Sequence, residues 1–441
     1  MDGLAGDEAR RVAAQELNNH CDLLRLSEAA PPDGVSTHPL VAPRPQVVEE
    51  SVSTKSQSTT SGLLRRINRS AVVGLIRREG VVTPSSLAAQ LKISIATVMR
   101  VVDDLIREDL VTYDGYDESA RGRPPARVKF RGAAHAIIGV EASRGEFYGA
   151  VSDLNGRIQT EMRADADDDG VRNVQRLIGL INQLLSARRP KGQTINGIGI
   201  GVPSIVRQPS GEVVLTLGLG WRELPLRQLV ATQFNVPVYV ENGRNLAAVG
   251  EWGFGAGRGA SSVVSLAIGP GAGAGIVIDG KLYGGRSRAA GELAWFLDDP
   301  MLTGRAFKYL GSKQSLRFGG GISESAIIAL EAAGARYRAG TLSLDDLESK
   351  SGDSRLALVK DLLDYATMAV ASISAFMNPE VVVLAGQLAR GGDLVVDALR
   401  RRLDGNVYDP PMLVISDLGH RDVVMGAVML VLDATTLNPA P

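Results

Sequence analysis

Cysteine is almost absent: Cys21 is the single one in 441 residues. One thiol closes no internal disulfide and supplies no thiolate zinc cluster, so a reducing, cytoplasmic setting is expected. Histidine occurs only 4 times, and no His/Asp/Ser grouping at a recognisable spacing speaks for hydrolysis. No apolar run approaches the roughly 20 residues of a membrane span. Residues 1–11 carry acids where a signal peptide would be basic. Aromatics are scarce at 5%, whereas Gly numbers 50, so aliphatic strands and tight glycine turns are expected to build the core. A hydrophobic share of 44% with 22% charged residues excludes a wholly disordered, collagenous or coiled-coil chain. The length allows about two to four domains.

An overall excess of one charge sign is missing too, since the formal net charge is −1. The balance is uneven along the chain. Residues 62–131 hold 13 Lys/Arg against 8 Asp/Glu, an excess of five, which leaves −6 for the remainder. A basic block on an acidic body is the footprint of a nucleic-acid-binding module, although a solvated charged face has the same composition.

Residues 1–61 read as a disordered or partly helical tail. A possible amphipathic helix between Leu4 and Leu26 runs into Pro31-Pro32-Asp33-Gly34 and a Ser/Thr stretch at 51–61, too polar to offset its ordering entropy.

Residues 62–131 carry three helical patterns and a turn-rich end. Leu64, Ile67, Ala71, Leu75 and Ile76 recur at helical spacing, and Glu79-Gly80 ends that helix. Thr83 is placed to cap a second helix with Pro84 at its first position and Leu87, Ala88 and Leu91 facing inward. Ser94 caps a third. Val98, Val101, Val102, Leu105 and Ile106 share one face of it and must pack inward, leaving Ile95, Ala96, Thr97, Met99 and Arg100 outward. Two helices joined by the turn at 91–94 form a helix-turn-helix, whose second helix fits a major groove. A three-helix protein-interaction module has the same outline. Strand-like runs at 110–113 and 126–130 flank a Gly/Asp-rich turn and read as a wing; between them Arg121-Gly122-Arg123-Pro124-Pro125 puts two guanidinium groups on an extended backbone suited to a narrow minor groove. On these grounds Arg66, Arg69, Ser94, Ile95, Thr97, Met99, Arg100, Arg121 and Arg123 are the candidate DNA contacts.

From 133 to 436 aliphatic β runs (136–141, 147–153, 195–202, 236–240, 263–268, 275–279, 381–384) alternate with helical stretches (171–187, 226–234, 244–251, 361–376), the signature of an α/β architecture. A series of three strands, helix, strand and helix starts near Ala136 and again near Ser262, which predicts two similar lobes, 132–258 and 259–436, with a cleft between them.

The segment from Leu64 to Asp433 resembles the ROK family of repressors and sugar kinases, within the actin-like ATPase superfamily. The likeness rests on residues 64–70, the Gly-Arg-Pro-Pro run at 122–125, Gly197-Ile198-Gly199-Ile200-Gly201-Val202-Pro203, Glu241-Asn242 with Asn245, the glycines from Gly269 to Gly275, Gly291-Glu292, and Asn378-Pro379-Glu380-Val381. It implies a two-lobed actin-like body behind a winged helix-turn-helix. A helix-turn-helix in front resembles the repressor branch, in which a kinase-derived body senses a sugar and controls DNA binding. Two such modules must sit about one DNA turn apart to read a palindrome in double-stranded DNA, so a homodimer or larger homo-oligomer built on the body is expected.

The residues that would transfer phosphate depart from the pattern of the family's kinases. Their base is the Asp of Glu-Asn-Asp-x-Asn; here the run is Glu241-Asn242-Gly243-Arg244-Asn245, and Gly243 accepts no proton. Their first phosphate loop resembles Asp-x-Gly-Gly-Thr, against Glu141-Ala142-Ser143-Arg144-Gly145 here. Pro270 stands in the second loop where a hydroxyl residue is usual, and the motif at 384–387 lacks two glycines. No catalytic residue, metal or cofactor is therefore expected; an ATP-using sugar kinase is the alternative. For a sugar-like ligand the resemblance leaves Asn242, Glu292, Gly271, Gly273 and Trp295, the last standing where the family has a zinc-binding His. A purely structural body fits the same residues.

Overall fold

The structure is a computed structural model that describes residues 56–116, 126–187, 190, 192–216, 218–269, 271–293, 324–349 and 353–437. Its main division falls between Arg131 and Gly132.

The first unit comprises α1 (Ser56–Glu79), β1 (Val81–Val82), α2 (Pro84–Leu91), α3 (Ile95–Arg107), β2 (Val111–Tyr116) and β3 (Ala126–Phe130). The caps form as the residue types require: Thr83 Oγ1 accepts the Ser86 N–H and Ser94 Oγ accepts the Thr97 N–H. Val72, Val73 and Ile76 of α1, Leu87 of α2, and Val98, Val102 and Leu105 of α3 are fully buried together. The strands pair antiparallel in the order β1-β3-β2. Two expectations fail on α1. Leu64 and Ile67, expected in its buried stripe, are 54% and 53% exposed, because the hydrophobic core of α1 begins only at Val72. The helix also begins at Ser56, inside the stretch whose Ser/Thr content reads as tail; residues 1–55 and the arginines at 121 and 123 lie outside the described residues.

The second unit holds two five-stranded sheets. In the first lobe β4 (His135–Ser143), β5 (Glu146–Asp153), β6 (Ile158–Asp165), β7 (Thr194–Val202) and β11 (Val238–Asn242) lie in the order β11-β7-β4-β5-β6. In the second, β12 (Ser262–Ile268), β13 (Ala272–Ile278), β14 (Lys281–Leu282), β15 (Val381–Gly386) and β16 (Met412–Ile415) lie in the order β14-β13-β12-β15-β16. Both orders run first-neighbour antiparallel on one side and parallel on the other, so the lobes repeat one topology. The intervening β8 (Val206–Arg207), β9 (Glu212–Leu215) and β10 (Arg222–Leu224) make a small antiparallel sheet. Helix α4 (Gly170–Ser186) covers the first sheet, while α6 (Glu324–Arg338), α7 (Ser354–Met377) and α8 (Asp393–Leu403) build the core of the second lobe.

Two helices cross between the lobes. Helix α5 (Gly243–Phe254) follows the last strand of the first lobe and packs on β12 and β13 of the second; α9 (Asp422–Leu432) follows the last strand of the second and packs on β4 and β7 of the first. They touch each other through glycine: a Cβ at Gly426 would overlap the Leu246 backbone, and one at Gly250 would overlap the Asp422 carbonyl.

This crossing explains the run Gly197-Ile198-Gly199-Ile200-Gly201. A Cβ at Gly197 would sit 2.8 Å from Val431, one at Gly199 2.6 Å from the Ala427 carbonyl, and one at Gly201 would overlap Val423. Alternate strand residues advance about 6.6 Å and every fourth helix residue about 6 Å, so glycines at spacing two meet helix positions 423, 427 and 431 in register. The motif is a helix seat.

Candidate DNA-reading helix and lobe cleft

Helices α2 and α3 meet in a turn closed by Lys92, whose left-handed backbone (φ 53°) lets its N–H reach the Ala88 and Ala89 carbonyls. The outward face of α3 presents Ser94, Ile95, Ala96 and Arg100 as exposed side chains, with Thr97 and Met99 half-buried. Ile95 is 54% exposed. The Arg100 side chain makes no hydrogen bond or ion pair among the described residues, and neither does that of Arg66 on α1. Ser94 and Thr97 are partly committed, since their hydroxyls lie 2.8 Å apart within the cap. Lys92, exposed at the same corner, adds a cation that helical spacing does not single out, since it lies in the turn.

Arg69 requires correction. It is 9% exposed, and its guanidinium grips both oxygens of Glu108 at 2.9 and 2.5 Å, tying α1 to the end of α3. A guanidinium spent on a bidentate carboxylate pair holds the unit together and is not presented to DNA.

In the body, Asn242 needs the same correction. Its side-chain oxygen accepts the N–H groups of Arg244 (2.7 Å) and Asn245 (3.4 Å), and its amide nitrogen donates to the Ser204 carbonyl at 3.0 Å. Glu241 Oε1 accepts from the Asn242 backbone at 2.9 Å and from Asn245 Nδ2 at 3.0 Å. Glu241, Asn242 and Asn245 therefore form a closed capping network at the start of α5, buried and mutually satisfied.

Gly243 stands beside this network with room for a Cβ in ordinary contact: the nearest atom to one built there is the Val202 carbonyl at 3.6 Å. The next residue fills the cleft instead. Arg244 Nη2 donates to the Gly271 carbonyl at 3.2 Å, and its stem lies 3.5 Å from where a Gly273 Cβ would be. Gly271 and Gly273 thus serve a guanidinium of the chain itself. Burial pushes Arg244 below its ordinary value, while Asp422, Glu292 and Glu141 act on it as counter-charges. None of these carboxylates comes within ion-pair distance of it among the described residues. Glu292 is half-buried and raised by burial, with Arg244 opposing. Trp295 lies outside the described residues, as does Pro270.

The two other carboxylates shift strongly. Burial, then the nearby Asp422 charge, raises Glu141 to about 7; burial raises Asp422 to about 6. Both bind protons more tightly in the folded chain than in the unfolded one. Their contribution to stability is full below the ordinary carboxylate range and is lost as pH rises through about 6 to 7. Glu141→Gln is therefore expected to narrow the difference in melting temperature between about pH 5.5 and about pH 7.5. An unchanged pH response in the variant contradicts this assignment.

Among the described residues no three His, Cys, Asp or Glu side chains are grouped to hold a metal ion. No described helix is long and apolar enough to cross a membrane.

Two lobes of one topology, exchanging helices at a glycine crossing, define the actin-like sugar-kinase fold. The chain belongs to the ROK family, whose model matches residues 137–434. It is 28% identical over 393 residues to a xylose repressor of Caldicellulosiruptor bescii, covering 84% of this chain and 96% of the relative. It is 27% identical over 288 residues to a glucokinase of Halalkalibacterium halodurans, covering 62% of this chain and 86% of the enzyme. Among solved structures, a ROK-family transcriptional regulator, described as a homologue of the E. coli MLC protein, superposes with a TM-score of 0.65 at 22% identity, covering 83% of this chain and 96% of that one.

Proposed function

We infer that the chain is a transcriptional repressor of the ROK family that reads double-stranded DNA with α3 and uses its kinase-like body, without catalysis, to pair two copies and sense a sugar-like ligand. The observation that carries this reading is the outward face of α3, capped, rigidly seated by Val98, Val102 and Leu105, and bearing an unpaired Arg100. Arg100 takes a guanine edge or a phosphate, Ile95 and Met99 contact thymine methyls, and Lys92 and Arg66 supply phosphate contacts. Arg121 and Arg123 of the wing enter the minor groove. The xylose repressor's coverage of 84% of the chain, against 62% for the glucokinase, supports an ancestry that includes the DNA-reading unit.

The chain works in the cytoplasm, where its DNA is. Two copies place their recognition helices about one DNA turn, roughly 34 Å, apart. A ligand in the cleft that prefers one lobe angle shifts DNA affinity by its difference in binding to the two states. The relatives named as xylose repressors support a sugar as that ligand, and Glu292 and Arg244 replace Asn242 as the groups that meet it.

Arg100→Ala is expected to weaken specific binding by about 1–3 kcal/mol, roughly fivefold to 150-fold in a gel-shift titration. Unchanged operator affinity contradicts the assignment of α3 as the reading helix. The glucokinase relatives favour a second reading, a sugar kinase, against which Gly243 weighs most.

A further inference from the structure

A second cavity lies at the hinge, on residues that the cleft does not use. It encloses about 430 Å³ between the edge strand β6, the loop after α5 and the start of α9, a volume in the range of small-molecule sites. We propose that this cavity binds a small molecule carrying an anionic group, phosphate or carboxylate, on a hydroxyl-bearing body, and that its occupancy sets the angle between the lobes.

The lining argues for that chemistry. Arg258 and Arg421 both face it. Arg421 is held by Glu161 at 2.8 and 3.0 Å, and Glu161 is kept ionised by the Tyr148 hydroxyl and by Arg421. Arg258 is exposed, and its guanidinium makes no hydrogen bond or ion pair among the described residues, so it is the uncompensated charge of the site. A free guanidinium beside a fixed one offers the forked donors that phosphate and carboxylate oxygens accept. Gln159 is a further polar member of the lining. Thr160 adds a hydroxyl, and Phe254 and Met425 give an apolar floor.

The position gives the occupant leverage. Thr160 belongs to the first lobe's sheet, Arg258 follows the end of α5, and Arg421 precedes α9, the two helices that cross between the lobes. A molecule touching all three is bound best at one lobe angle, which is the requirement for shifting a two-state equilibrium.

The test is calorimetric titration of the full chain with glucose 6-phosphate, gluconate, inorganic phosphate and glucose, repeated on Arg258→Ala, on Thr160→Val and on the cleft variant Glu292→Gln. Binding of glucose 6-phosphate or gluconate is expected, with roughly tenfold or greater loss in Arg258→Ala, a smaller loss in Thr160→Val and none in Glu292→Gln. The arm that binds identifies phosphate or carboxylate as the anion. Arg258→Ala binding both anions like the parent, loss of their binding in Glu292→Gln instead, or no binding of either anion overturns the proposal; glucose binding that is lost in Glu292→Gln but not in Arg258→Ala belongs to the cleft. DNA affinity measured on the same samples keeps the two readings apart: a chain that binds its operator but none of the anions overturns the hinge site alone.

Discussion

Incubated with ATP, magnesium and a panel of hexoses, the purified chain is expected to release no sugar phosphate. Phosphoryl transfer to a hydroxyl needs a carboxylate at the acceptor, and residue 243 has no side chain. Loss of such a base alone costs about 10²–10⁴ in rate. A second obstacle stands beside the first: the Arg244 guanidinium rests on the Gly271 carbonyl and over Gly273, inside the glycine loop that resembles a phosphate cradle. Both changes occur in consecutive residues of one motif. Gly243→Asp is expected to fold normally, because the surrounding atoms leave space for a Cβ, and to stay inactive while Arg244 remains. Turnover by the unmodified chain in the kinase range, about 1–100 s⁻¹, contradicts this.

The largest stability effect is expected at the helix crossing. In Gly426→Ala the new methyl group would overlap the backbone carbonyl of Leu246, which cannot rotate away as a side chain can. Overpacking of this kind costs about 1–3 kcal/mol or more, so the body is expected to melt many degrees lower or fail to fold. Gly179→Ala is the internal control. That glycine lies within α4 with nothing inside 4 Å of its Cβ position, and alanine there is expected to stabilise by roughly 0.5–1 kcal/mol. Thermal melting of the two variants should move in opposite directions; equal melting temperatures contradict the glycine seat.

Much of this architecture was legible in the residues, for reasons that differ by element. Thr83-Pro84 and Ser94 mark helix starts because capping is local chemistry, and the 98, 101, 102, 105 stripe marks the inner face of α3 because one helix turn repeats every 3.6 residues. Periodicity does not say where a partner ends. Leu64 and Ile67 satisfy the spacing yet lie beyond the reach of the core on α1. Strand β6, the third strand of the first lobe's series, has no aliphatic run to mark its bounds, because it is an edge strand whose residues Gln159, Thr160, Glu161 and Arg163 are largely polar and partly exposed.

The site was harder to read. Arg69 looked like a surface cation, and only the fold brings it against Glu108, 39 residues away. The Asn242 cap carried a usable signal, an amide residue at a strand-to-helix junction, which the family resemblance overrode. The resemblance drew attention to the acid missing at 243; the charge added at 244 needed three-dimensional neighbours to acquire meaning.

Selection of the full chain on a pool of random DNA duplexes, followed by sequencing of the bound fraction, bears most directly on the claim that a retired kinase body serves a pair of DNA-reading helices. The expected result is enrichment of a two-fold symmetric sequence with half-sites spaced by about one helical turn or a multiple of it, lost when Arg100 is replaced by alanine. Recovery of no preferred sequence, or the same sequence from Arg100→Ala at undiminished strength, would contradict it.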